Sequence, residues 1–354
     1  MSAVAGKALL VIGGAGFVGG NLVREALTRE AERILVVDNF LSAERENVPS
    51  DDRVELIEGS IADDSVLERI GDEFDYVFHL ATYHGNQSSI LDPLADHDNN
   101  LITTLKLYEH AKDFERLQKL VYAASGCTLA PHTFDETEAV TEDGPVPLDL
   151  DSPYQISKVV GEFYSVYYHR QHGLPTVRAR FQNVYGPGEI LGAGRWRGSP
   201  ATVWRNVTPA FVYRALKQLP LQLENEGRAT RDFIYVGDLV DGLLTCAESG
   251  ATGDVYNLAS GKETSIRQLA ELVNRLTDNP AEVELLPARN WDRSGRRFGS
   301  VEKAERDLGF EAQTPLEDGL LRTVDWMREN LDLIDACIRR HAGHVDGLQA
   351  LAGR

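Results

Sequence analysis

The feature that most constrains this chain is a buried-strand run that breaks into glycines and resumes as helix. Ala8-Leu9-Leu10-Val11-Ile12 is uninterrupted apolar sequence, Gly13, Gly16 and Gly19 follow as G-x-x-G-x-x-G, and residues 21–28 carry a helical pattern. Glycine suits a tight turn, a close approach of backbone to a pyrophosphate, and close packing of helix on strand. A helix starting there turns free N–H groups and its positive dipole end toward phosphates. Such turns also occur with nothing bound, so context decides. The context is a second strand, Arg33-Ile34-Leu35-Val36-Val37-Asp38. It ends in an acid about 20 residues after the turn, the position that hydrogen-bonds adenosine ribose hydroxyls. Asp38 would repel a 2′-phosphate, and no Arg or Lys occupies positions 39–43, so NAD is expected rather than NADP.

Further strands are expected at 54–58, 75–81 and 119–124, with helical patterns at 65–70 and 93–112. Strands alternating with helices predict an α/β fold: a Rossmann-type, doubly wound parallel sheet with right-handed crossovers and ligands at the carboxyl ends of the strands. A long connection, 125–150, leads to Asp151-Ser152-Pro153, a cap and first-turn proline for a helix at 154–171 that stops at Gly173. Residues 176–181 read as strand. Residues 186–200 are rich in Gly and Arg with no visible core pattern, and Arg195 and Arg197 are expected at the surface. The rest is mixed: strands at 232–236 and 255–258, helices at 209–217, 237–248, 265–277, 301–308 and 316–330. The expected organisation is an NAD-binding domain over 1–182 and a smaller, mixed α/β substrate-binding portion over 183–340, some of whose segments return to the first domain. A loosely docked tail, 341–354, completes it.

The chain has 354 residues, enough for a sizeable core, and a net charge of −19, which disfavours nucleic acid and anionic membrane as partners. No apolar run reaches the ~20 residues that span a bilayer, and residues 1–7 lack a signal-peptide pattern. Cys127, Cys246 and Cys337 have neither metal nor disulfide-framework spacing. These features lead to the expectation of a reduced, cytoplasmic enzyme without a metal site.

Tyr154-Gln155-Ile156-Ser157-Lys158 is Y-x-x-x-K, and positions i and i+4 share a helix face. An ammonium beside a phenol favours the phenolate, which can then take a proton from a sugar hydroxyl. Tyr and Lys also fall four apart by chance, and Phe163, Tyr164, Tyr167 and Tyr168 make this helix aromatic-rich in any case.

Taken together, the motifs from residue 8 to 326 resemble the extended short-chain dehydrogenase/reductase family, the nucleotide-sugar epimerases and dehydratases. They occur in family order: Gly-Gly-Ala-Gly-Phe-Val-Gly at 13–19, Asp38-Asn39-Phe40, His79-Leu80-Ala81, Asn100 with Thr104, Ser125, Tyr154 with Lys158, and Arg180 through Gly188. After these come Asn206-Val207-Thr208-Pro209, Arg231 through Val236, and Arg293-Ser294-Gly295. The resemblance implies catalytic Ser125, Tyr154 and Lys158. It implies NAD contacts from Gly13, Gly16, Phe17, Val18, Gly19, Asp38, Asn39, Ser60, Ile61, Leu80, Ala81, Asn100, Tyr154 and Lys158. Substrate contacts fall to Ser125, Asn183, Asn206, Arg231 and Arg293, with the arginines on phosphate. A nucleotide-sugar substrate and a homodimer built on the helices at 93–112 and 154–171 are also implied.

Departures refine this. Gly59-Ser60 replaces the usual Gly-Asp, and Thr128-Leu129-Ala130 replaces Val-Tyr-Gly. The family's 4,6-dehydratases carry Asp-Glu after the catalytic Thr; here Gly126-Cys127 stands, and a thiol substitutes poorly for two carboxyl groups, although Asp135 or Glu136 could fold back. The expected reaction is therefore C4 epimerisation through a 4-keto sugar. Dehydration, decarboxylation of a sugar acid and ketone reduction are the alternatives within the family. A non-catalytic NAD-sensing protein on the same fold would typically lack the Tyr/Lys pair.

Overall fold

The computed structural model describes residues 4–130, 133–289 and 295–348. In chain order the strands are β1 (Ala8–Ile12), β2 (Arg33–Asp38), β3 (Val54–Glu58), β4 (Tyr76–His79), β5 (Lys119–Ser125), β6 (Thr176–Phe181), β7 (Asn183–Tyr185), β8 (Gln222–Glu224), β9 (Thr230–Tyr235), β10 (Val255–Leu258), β11 (Glu263–Ser265) and β12 (Glu284–Leu286). A seven-stranded sheet runs β10-β6-β5-β4-β1-β2-β3, with every pairing parallel. This is the doubly wound Rossmann sheet. Its chain order reverses between β1 and β4, which opens a crevice at the carboxyl ends of those two strands. β7, β9 and β11 form a three-stranded sheet, and β8 pairs with β12.

Period-two alternation divides the strands between two cores. Leu9 and Val11 of β1 pack with Leu22 and Val23 of the Phe17–Thr28 helix and with Leu239 and Leu243 of the Val236–Ser249 helix. Leu10 and Ile12 face the other side, with Leu107 and Tyr108 of the Thr103–Ala111 helix and Tyr168 of the Pro153–His172 helix. A third cluster lies under the smaller sheets and holds Phe211, Leu269, Leu320 and Ile334.

Two expectations fail here. The segment 186–200 is not without core: Ile190, Leu191 and Ala193 are buried in the third cluster, and Arg197 is only 5% exposed. Its glycines at 188, 192, 194 and 198 take positive φ, so the chain folds back on itself and tucks in side chains that no regular period would reveal. Arg195 does lie at the surface. The end of the chain, expected to be loosely docked from 341 on, is also more firmly held. Leu331–Arg340 is a helix whose Ile334, Cys337 and Ile338 are buried, an i, i+3, i+4 pattern legible in the sequence. Beyond it, His341 bonds the Gly192 carbonyl at 2.9 Å, His344 stacks on Trp196 at 4.7 Å, and Leu348 is buried. Residues 349–354 lie outside the described residues.

The Pro153–His172 helix is fastened to β6 by a buried bidentate pair. Arg180 donates from Nε and Nη2 to Glu162 at 2.9 and 2.8 Å. Removing one member strands the other's charge in the interior. Glu162→Ala should therefore lower unfolding free energy by about 3–5 kcal/mol in urea titration; a loss under about 1 kcal/mol would show that the pair does not anchor the helix.

Candidate active site

The turn after β1 is closed by backbone contacts that exclude side chains. Gly13 has φ +86°, and a Cβ there would lie 2.5 Å from the Ala81 amide nitrogen after β4. A Cβ on Gly19 would lie 2.2 Å from the Gly13 carbonyl oxygen. The helix N-terminus is thereby pulled against the turn at the strand-order reversal. From this point a cleft of about 1060 Å³ extends along the carboxyl ends of the strands. Gly13, Gly16, Phe17, Val18, Gly19, Asp38, Asn39, Ser60, Ile61, Leu80 and Ala81 all line it. Asp38 closes β2, and its carboxylate accepts the Ala15 and Phe40 N–H groups at 3.0 and 2.9 Å. Burial pushes its pKa up, and those amides pull it back. A glycine turn no Cβ could share, a helix N-terminus and a fixed acid on the next strand fit a dinucleotide.

Asn100 sits behind this wall. It lies in a π-helical turn, His97–Ile102, and its amide is engaged within the protein. Oδ1 accepts from the Tyr83 N–H at 2.6 Å and the Thr82 hydroxyl at 3.0 Å, while Nδ2 donates to Asp96 at 2.7 Å and Ser157 at 3.3 Å. It ties the loop after β4 to the helix carrying Tyr154.

At the carboxyl end of β5, Ser125 reaches the same cleft. Ser152 caps the Pro153–His172 helix, accepting the Gln155 N–H, so Tyr154 and Lys158 fall in its first turns. Both line the cleft. Lys158 is buried, donates to the Ala123 carbonyl at 3.0 Å, and holds its ammonium 6.0 Å from the Tyr154 ring centroid. The three candidate catalytic residues thus share one wall, continuous with the glycine turn.

Asn183, Asn206 and Arg231 lie on the wall beyond them; Arg293 falls outside the described residues. Asn206 is the N-cap residue of the Val207–Leu216 helix. Its Nδ2 donates to Glu189 at 2.6 Å and its Oδ1 faces His84 Nε2 at 3.3 Å. Arg231 donates to the Gly295 carbonyl. Sequence reasoning passed over His84, Glu189, Arg205 and Arg297, all on the wall. His84 stands edge-on to Tyr154 at 5.9 Å, and burial, with Arg197 and Arg205 nearby, holds its pKa down at about 4, leaving it neutral. Its place just after β4, at a strand's carboxyl end, was the signal that could have found it. Glu189 is buried, and burial pushes its carboxyl up to about 7.

The profile of the NAD dependent epimerase/dehydratase family matches residues 9–259. This chain belongs to that family. The WbmF enzyme of Bordetella bronchiseptica, solved with NAD+ and UDP, is 58% identical, with a TM-score of 0.87 over 98% of this chain and 99% of that one. A UDP-glucuronate 4-epimerase of Thermodesulfobacterium geofontis is 31% identical over 92% of this chain and 97% of its own length. A UDP-glucuronic acid decarboxylase of Xenopus tropicalis is 31% identical over 92% of this chain and 73% of its own. The protein is an NAD-dependent enzyme of the nucleotide-sugar epimerase/dehydratase group, and its relatives carry out more than one reaction.

The Glu189 carboxyl yields a pH prediction. Its folded pKa, about 7, stands above the ordinary 4.5, so the folded state holds the proton longer. The stability this contributes is fully present below pH 4.5 and is lost as pH rises through about 7. Relative to Glu189→Gln, the wild type should lose up to ~3 kcal/mol across that window. Parallel stability curves for the two proteins would contradict the assignment.

Proposed function

We propose that this enzyme inverts C4 of a nucleotide-bound sugar through a transient 4-keto species. The observation that carries the reading is the convergence of Ser125, Tyr154 and Lys158 on one wall of the cleft that begins at the glycine turn. NAD, when bound, supplies the two-electron acceptor and donor that the side chains lack. Gly13, Gly16 and Gly19 would admit its diphosphate, and Asp38 would hold the adenosine ribose.

The chain's own part is proton transfer and positioning. Ser125 holds the C4 hydroxyl, and Tyr154 removes its proton. The Lys158 ammonium favours the phenolate and is itself held by the Ala123 carbonyl. Asn183 and Arg231 grip the diphosphate, leaving the sugar ring the part free to turn over. Tyr154 then returns the proton to the inverted alkoxide. Water elimination is disfavoured by the absence of a carboxyl pair beside Ser125, where Gly126 and Cys127 stand. Neither Asp135 nor Glu136 lines the cleft.

We further propose a homodimer. Ile156, Phe163 and Tyr167 share one face of the Pro153–His172 helix and are 50%, 59% and 50% exposed. Leu91 and Leu94 add 57% and 75% exposed surface on the neighbouring helices. A contiguous apolar patch of this kind is a usual mark of an interface.

Two experiments test these readings. Tyr154→Phe should cut C4 interconversion of a nucleotide sugar, followed by ion-exchange chromatography, by about 10²–10⁴-fold while bound NAD persists; undiminished turnover would reject Tyr154 as the base. Light scattering should give twice the chain mass, shifting to one chain mass in Phe163→Glu/Tyr167→Glu; a monomeric wild type would remove the dimer.

A further inference from the structure

The arginines on the cleft wall differ in how their hydrogen-bonding capacity is used. Arg205 donates to the Ser42 and Ala193 carbonyls, Arg214 to Pro220, Arg231 to Thr230 and Gly295, and Arg289 pairs with Glu224. Arg297 lines the same cleft, is only 6% exposed, and makes no hydrogen bond among the described residues. Its Nε and Nη2 are both shielded from solvent and unpartnered. These two nitrogens form the side-on fork of the guanidinium, the edge with which Arg180 grips Glu162 in this same protein. The nearest carboxylate oxygen is Asp151 Oδ2, 3.8 Å from Nη2, beyond hydrogen-bond length. A buried guanidinium with an unsatisfied fork is costly unless an anion completes it.

The surrounding contacts set the Arg297 segment near the end of the strand that carries Ser125 and near the cap of the helix that carries Tyr154. Phe298 accepts the Val140 N–H at 3.0 Å, and the Ser300 N–H returns to Val140 at 2.9 Å, so the Arg297 segment is pinned on its C-terminal side. A Cβ on Gly299 would lie 2.7 Å from Gln182 Nε2, and Gln182 follows Phe181, which pairs with Ser125. Asp151 immediately precedes the Ser152 cap of the helix carrying Tyr154. Engaging a ligand therefore breaks no hydrogen bond of the fork and competes with the ion pair to Asp151.

We propose that Arg297 reads a carboxylate on the sugar, and that the substrates are nucleotide-linked uronic acids. This rests on the reading that Ser125 and Tyr154 hold the C4 hydroxyl. The substituent on the adjacent C5 is then the group that can reach Arg297 while the diphosphate lies toward Asn183 and Arg231. A planar carboxylate matches the Nε/Nη2 fork in two parallel charge-assisted bonds, and the hydroxymethyl of a neutral hexose supplies neither the charge nor the second acceptor. A neutral sugar would leave the Nε/Nη2 fork without an anionic acceptor at hydrogen-bond length, which is how a site rejects a ligand lacking the recognised group.

The test uses the NAD-loaded enzyme and two substrate pairs that differ only at C6. These are UDP-glucuronate against UDP-glucose, and UDP-N-acetylglucosaminuronate against UDP-N-acetylglucosamine. Binding is measured by calorimetry, C4 inversion by chromatography, and UDP alone is the control for the diphosphate end. The acid of at least one pair should bind ~10–100-fold tighter than its neutral partner. Arg297→Gln should abolish that preference with unchanged UDP affinity and retained NAD, and Arg297→Lys should restore part of it. Absent or equal binding of the acids overturns the proposal. So does a parallel loss of UDP affinity in Arg297→Gln, which would make Arg297 a diphosphate contact. Tight, Arg297-dependent binding of a uronic acid that loses its carboxyl group instead of inverting would leave the substrate class standing and remove the epimerase reading. Inversion of neutral and acidic sugars alike would do the reverse.

Discussion

The constraint at the heart of this fold is a close backbone approach between the turn after β1 and the chain leaving β4. Only a residue without Cβ fits at position 13, where a side chain would come within 2.5 Å of the Ala81 nitrogen. The remaining geometry follows from that contact. It lies where the strand order reverses, so it sets the mouth of the crevice. It brings the N-terminus of the Phe17–Thr28 helix to the crevice floor and sets Asp38, one strand away, at the opposite rim.

The helix that brings Tyr154 and Lys158 to this crevice is held from several sides. The Lys158 ammonium bonds a carbonyl of β5, Glu162 grips Arg180 of β6, and Ser157 meets the Asn100 amide. These contacts involve different strands and turns, so the helix can neither slide nor rotate without breaking buried charged or polar pairs. Rigid placement of Tyr154 is what the proposed proton transfer requires. The remaining lining is built differently, from parts of the glycine-rich 186–200 segment, the N-cap Asn206 and Arg297.

The Rossmann half was legible because its signals are local. Apolar strands, the glycine turn, the terminal Asp38 and the Ser152-Pro153 cap each follow from short-range chemistry, and the structure places those elements within a few residues of their expected limits. The second half was less legible because its burial is set by long-range contact. Arg197 looks like a surface residue between glycines, yet it is enclosed, and its Nη1 donates to the His84 carbonyl at 2.8 Å. Nothing near Asn206 in sequence announces Glu189 or His84 as its partners. Asn100 read as a ligand contact on resemblance, whereas its four protein partners tie loop to helix. The helix at Leu331–Arg340 went unread because it is short and follows directly on another, and without it nothing showed that residues after 340 dock.

The most direct measurement is proton NMR of the turnover of a nucleotide sugar carrying deuterium at C4, run in ordinary water, with the mirror experiment on unlabelled sugar in deuterated water. C4 inversion by oxidation and return within a closed cleft predicts that the label stays on C4 in the inverted product and that no solvent hydrogen enters the ring. A C6 methyl with solvent hydrogen at C5 would mean elimination of water, and loss of C6 would mean decarboxylation. Either result would contradict epimerisation as the reaction of this enzyme.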